Sequence, residues 1–167
     1  MAAKTGTYTL IASNTLGSNQ SSVTLSSIPS NYTDLVIVFN GQTSSATYDV
    51  WIQVNGDTGT NYSSTQLYGT GSAAGSIRYS TQSHGTTWNT STSNQTAIIN
   101  INDYSNTTTY KTLLCRGGNP SNGYVNADVI LWRSTAAINS VTIYLSGAGT
   151  FSSGSTFKLY GIEAGNL

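Results

Sequence analysis

Charge is what this chain has least of. Only 7% of its 167 residues are charged, six Lys or Arg against six Asp or Glu, and the formal net charge is zero. An ordinary domain carries about a quarter charged residues. A catalytic centre gathers titratable groups, and here they are few and scattered along the chain. Nucleic acid asks for a basic footprint, whereas the cations Lys4, Arg78, Lys111, Arg116, Arg133 and Lys158 are dispersed in sequence. The composition therefore predicts neither an enzyme nor a nucleic-acid-binding protein.

Histidine, cysteine and glutamate each occur once, as His84, Cys115 and Glu163. A single cysteine excludes an intrachain disulfide, and within Leu113-Leu114-Cys115 it reads as a small buried apolar group. A nucleophilic cysteine would need a base, and His84 lies in a polar Ser/Thr/Gly stretch. With so few ligand types, no metal or cofactor is expected. Long hydrophobic runs are also missing. Leu35 to Phe39 is among the longest at about five residues, far short of the ~20 that span a bilayer, so no membrane segment is expected. Residues 1–10 hold no apolar stretch before a cleavage site, so no signal peptide is expected and the chain is read as made in the cytoplasm.

Ser, Thr, Asn and Gln fill the space that charge leaves, at roughly two residues in five, against average usage. Eleven Tyr, three Trp and 37% hydrophobic residues argue against disorder. The length suits one domain, 1–167, with a real core.

Apolar residues alternate instead of following a helical period. Tyr48, Val50, Ile52 and Val54 share one parity, as do Val141, Ile143 and Leu145, and Phe157 and Leu159. Leu35 to Phe39 is apolar at every position, the pattern of a strand covered on both faces. Further strands fit near 7–13, 21–27, 66–69, 76–80, 96–103, 109–117 and 124–133, rich in Thr, Val, Ile and Tyr. Turn signals such as Asn55-Gly56 and Ser121-Asn122-Gly123 separate them. The pattern predicts an all-β antiparallel sandwich of jelly-roll type with about ten short strands. Val50, Ile52, Val129, Leu131, Val141, Ile143, Phe157 and Leu159 are its expected core. Residues 55–95, poor in aliphatics, are expected to form long loops around two short strands.

Three motifs invite chemistry. The 55–61 stretch places oxygen ligands as a calcium loop does, but Gly59 and Gln66 stand where ligands are needed, which leaves a plain turn. Asp49, Asp57, Asp103, Asp128 and Glu163 are the carboxylates from which a glycosidase pair would be drawn, although solvated strand carboxylates explain several of them. Six Asn-x-Ser/Thr sequons, at Asn19, Asn31, Asn61, Asn89, Asn94 and Asn106, are about what a chain so rich in these residues contains by chance. Tyr62, Tyr68, Tyr79, Trp88 and Tyr104 lie in or beside the polar stretch. They are the candidate interface anchors, Trp88 and Tyr62 foremost, as aromatics stack on sugars or seat a protein contact.

Residues 28–36 (IPSNYTDLV), 50–63 (VWIQVNGDTGTNYS) and 154–162 (GSTFKLYGI) together resemble small β-rich virion proteins of tailed bacteriophages. The resemblance implies a non-enzymatic virion protein, most simply a capsid decoration (cement) protein that binds and stabilises the shell lattice. The alternative is a tail or fibre component recognising a host-surface glycan. Implied partners are the major capsid protein or other virion proteins, with self-association as a dimer or trimer.

Overall fold

The computed structural model describes residues 7–163, and among them there is no helix. Twelve strands follow in order: β1 (Tyr8–Thr15), β2 (Ser22–Leu25), β3 (Asp34–Gly41), β4 (Tyr48–Val54), β5 (Tyr62–Gly69), β6 (Ala74–Gln82), β7 (Gly85–Thr90), β8 (Gln95–Ile101), β9 (Lys111–Asn119), β10 (Tyr124–Trp132), β11 (Val141–Leu145) and β12 (Thr156–Ile162). They form two sheets, ordered β1-β12-β3-β8-β9-β10-β5-β6 and β2-β11-β4-β7. Every pairing is antiparallel. The expected antiparallel sandwich forms, with slightly more strands than expected and an unequal division of eight to four.

The 55–95 region differs most from expectation. It holds three strands, β5, β6 and β7, where long loops around two short ones were expected. Strand β7 has no apolar alternation to betray it: its sequence is GTTWNT, and five of its six residues are buried. Before it, Asn55 and Gly56 take positive φ of 53° and 66°. The Asp57 N–H donates to the Val54 carbonyl at 2.9 Å, closing the two-residue turn that Asn-Gly favours.

The core lies between the sheets. Val50, Ile52, Val141, Ile143, Phe157 and Leu159 are fully buried, as their alternation predicts. Phe39 sits at the centre, with ring centroids 5.0 Å from Phe157, 5.6 Å from Phe151 and 5.9 Å from Trp88. Cys115 is buried here too, and burial pushes its thiol well above the usual range.

Strand β10 corrects part of the expected core. Val129 is 45% exposed and Leu131 is only half-buried, because the strand turns its other parity inward. Both parities are apolar at 129–132. The larger pair, Ile130 and Trp132, takes the interior, and Asn126 and Asp128 must then follow. A one-residue choice of parity moves every side chain to the opposite face.

Candidate functional site

Strand β7 packs directly on β9, β10 and β5. Two glycines allow this approach. A Cβ on Gly85 would lie 2.6 Å from Ile130 atoms, and one on Gly117 would lie 2.9 Å from the Trp88 ring. Ile130 and Trp88 fill the space those glycines leave, and beside them polar side chains bond the facing strand. Gln66 Nε2 donates to the Thr87 carbonyl, and the Thr86 N–H donates to Ser64 Oγ at 2.9 Å. Asp128 belongs to this layer. Its Oδ2 accepts from Asn126 Nδ2, while its Oδ1 has no partner. Burial raises its pKa to about 7, against the smaller lowering by Asn126 and Gln66.

The other parity of the same strands lies on the outside. Cross-strand registers place Lys158, Val38, Ile98, Arg116, Ala127, Leu67 and Ser76 in one row across β12, β3, β8, β9, β10, β5 and β6. The adjoining row runs Tyr160, Val36, Asn100, Leu114, Val129, Thr65 and Arg78. Along β10 the outward residues are Val125, Ala127, Val129 and Leu131, all apolar. Val125 is 60% exposed and Leu67 58%. Three adjoining open depressions, of about 460, 520 and 530 Å³, run along this face. The first two share Leu67, Arg116 and Ala127, and Val125 joins the second to the third. Arg116 stands in the middle, giving one N–H to Asn100 Oδ1 at 3.3 Å. No sequence signal marked this trough, because its rows join residues of seven strands.

Of the five expected anchors, Tyr68 lines the second depression, and three others are placed in the core. Tyr62, Trp88 and Tyr104 are core residues, 1%, 0% and 0% exposed, and present nothing to a partner. Each aromatic ring has more surface to bury than the small polar residues around it, which is why the sandwich takes them inward. The Tyr62 hydroxyl accepts from the Val54 N–H at 3.0 Å and donates to the Asp57 carbonyl at 3.2 Å; burial pushes its pKa up to about 12. The Tyr104 hydroxyl donates to the Pro29 carbonyl. Tyr68 and Tyr79 are half-buried, and Tyr68 stacks on Tyr124 with centroids 5.5 Å apart.

Two of the carboxylates are held by the protein's own donors. Asp57 latches its loop: Oδ1 accepts from the Gly59 N–H at 2.8 Å, and Oδ2 accepts from Asn61 Nδ2 at 2.9 Å and Trp132 Nε1 at 2.6 Å. Burial would raise its pKa, but these three donors outweigh burial and hold it below the usual value. The calcium-like stretch thus spends its one carboxylate on the protein's own donors. Asp49 accepts from Asn89 Nδ2, and burial raises its pKa against the effects of Asn89 and His84. His84 stacks on Trp51 at 4.0 Å with Tyr144 edge-on at 6.3 Å, and burial lowers its pKa, with Asp49 partly offsetting this. Among the described residues, no three His, Cys, Asp or Glu side chains are grouped to hold a metal.

No family model matches the chain, and no curated protein does. Among solved structures it is similar to the alginate lyase Aly36B, a double mutant in complex with an alginate tetrasaccharide. Identity is 11% over 93% of this chain and 95% of that one, with a TM-score of 0.34. The expectation of a capsid decoration protein, or of a tail component recognising a host glycan, is corrected by this finding: the neighbour is an alginate lyase and not a virion protein. At that TM-score the likeness brings neither activity nor substrate to this chain.

Proposed function

We propose that the protein is a non-catalytic binding module whose working surface is the outer face of the eight-stranded sheet, and that its partner there is a protein. The observation that carries this reading is the inverted pattern of β10, with Asn126 and Asp128 inside and Val125, Ala127, Val129 and Leu131 outside. Aliphatic side chains gathered on one face, with an arginine among them, have the composition of a contact surface. Around Arg116 the floor is aliphatic, with Leu67, Leu114, Ala127 and Val129, while Tyr68 and Tyr124 line the adjoining depressions. The titratable groups support the non-catalytic part. Asp57 is latched, Asp128 and Cys115 are buried, and His84 is stacked against Trp51.

A photo-activated cross-linking residue tests the reading, placed at Ala127 in the trough and, as control, at Thr142 on the outer face of the small sheet. In the native cellular milieu, position 127 should give a discrete protein adduct and position 142 none. Equal adducts at both positions, or no protein adduct at 127, would sink the reading.

A further inference from the structure

Three of the six cations, dispersed in sequence, share one face of the fold. Lys158, Arg116 and Arg78 all fall on the outer face of the large sheet, in the two adjoining rows. Lys158 and Arg116 are separated by three strand steps, as are Arg116 and Arg78, which is about 14 Å each at ~4.8 Å per step. Among the described residues, the acid that the registers place on this face is Asp34. It lies at the end of the sheet, where its Oδ1 accepts the Asp103 N–H at 2.7 Å. Of the other five acids, Asp103 is beside Asp34, Glu163 accepts from Thr9 Oγ1, Asp128 faces the interior, Asp57 is latched to Trp132, and Asp49 is on the small sheet. A chain of zero net charge thus carries a face with more cations than acids, and Arg116 is the cation that lines its aliphatic depressions.

We infer that the occupant of this trough is a protein segment presenting acidic and aliphatic side chains on one face, with a carboxylate seated on Arg116, and not a second copy of this chain. The inference rests on the binding-face reading and adds the partner's chemistry. A guanidinium offers a planar fork of N–H donors that matches a carboxylate, and Arg116 gives one of them to Asn100. Ala127, Leu67, Leu114 and Val129 surround it with aliphatic surface that lowers the local dielectric and strengthens such a pair. A second copy docked face to face would bring Arg116 towards Arg116 and oppose cations across the interface, a costly juxtaposition.

The probes are immobilised extended peptides. One carries Leu and Glu alternately on one face and Ser on the other; its counterpart has Lys in place of Glu. The protein should be retained on the Glu surface at least tenfold more than on the Lys surface. Raising salt from 50 to 500 mM should release most of it, and Arg116→Glu should abolish retention without changing the melting temperature. Arg116→Lys should keep only part of it, since the fork is lost and the charge is kept. Equal retention on both peptides, no retention on either, retention only on a carboxylated polysaccharide surface, or sedimentation as a dimer at micromolar concentration would each overturn the inference. If Ala127 cross-links to a protein while the Glu peptide fails, the binding face stands and its acidic partner falls.

Discussion

The eight-stranded sheet is built differently on the two sides of β9. In β1-β12-β3-β8 the inward residues are those of an ordinary core, including Leu35, Ile37, Phe39, Ile99, Phe157 and Leu159. In β10-β5-β6 much of the inward layer is polar, with Ser64, Gln66, Asn126 and Asp128, while Leu67, Val125 and Val129 point to solvent. Beneath β7 the large groups Ile130, Trp132 and Tyr62 share the layer with amides and hydroxyls that bond β7 directly. The outward parity of β10 is then Val125, Ala127, Val129 and Leu131.

The sharpest way to break this contrast is to delete a large side chain from the apolar half. Phe39→Ala should cost about 3–5 kcal/mol, the transfer term plus the cavity left among Trp88, Phe151 and Phe157. Denaturant unfolding would measure it, and a loss below 1 kcal/mol would show that this half does not hold the sandwich together.

The polar half predicts a pH dependence instead. Folding raises the Asp128 pKa from its ordinary 3.8 to about 7. Between those values the folded carboxyl holds a proton that the unfolded one has released. Stability from this group is therefore fully present below pH ~4 and declines as pH rises towards ~7, by at most about 1.4 kcal/mol per pH unit; above ~7 it is level. Asp128→Asn should flatten that slope and make the protein more stable than the wild type at pH 8. Melting temperatures between pH 4 and 8 check this, and an unchanged slope would mean that Asp128 is not the titrating group.

The smallest effect should come from the outward face. Val129→Thr at a 45% exposed site should change stability by no more than about 0.5 kcal/mol. The same substitution at the fully buried Val141 should cost at least 1 kcal/mol, because a hydroxyl enters the core. Equal costs would mean that the face is covered in solution.

Much of the fold was legible because period-two alternation is a local signal. Val141 to Leu145 and Val50 to Val54 settle their own parity, with apolar and polar residues opposed along the strand. Strand β10 could not be settled this way. Its two parities compete at 129–132, and the winner depends on Ile130 meeting Gly85 of β7, a contact between residues far apart in sequence. Tyr62, Trp88 and Tyr104 went inward for a related reason. Tyr62 and Trp88 sit among Ser, Thr, Asn and Gly, and a polar neighbourhood in sequence was read as exposure in space. The trough is illegible at sequence level because Arg116, Leu67 and Val129 come together only through strand order.

Strand β12 lies between β1 and β3, so the last strand described pairs on one side with the first and on the other with the third. Until residue 162 has left the ribosome, β1 has no sheet to join, and β3 presents an unpaired edge from Asp34 to Gly41. Closure therefore waits on the most non-local contacts in the molecule, the kind that slow folding most. Throughout synthesis, the nascent chain would expose the strand edge at Leu35 to Phe39, its most aggregation-prone run. The sparse charge that leaves the finished sandwich so neutral also gives that edge little repulsion during the wait.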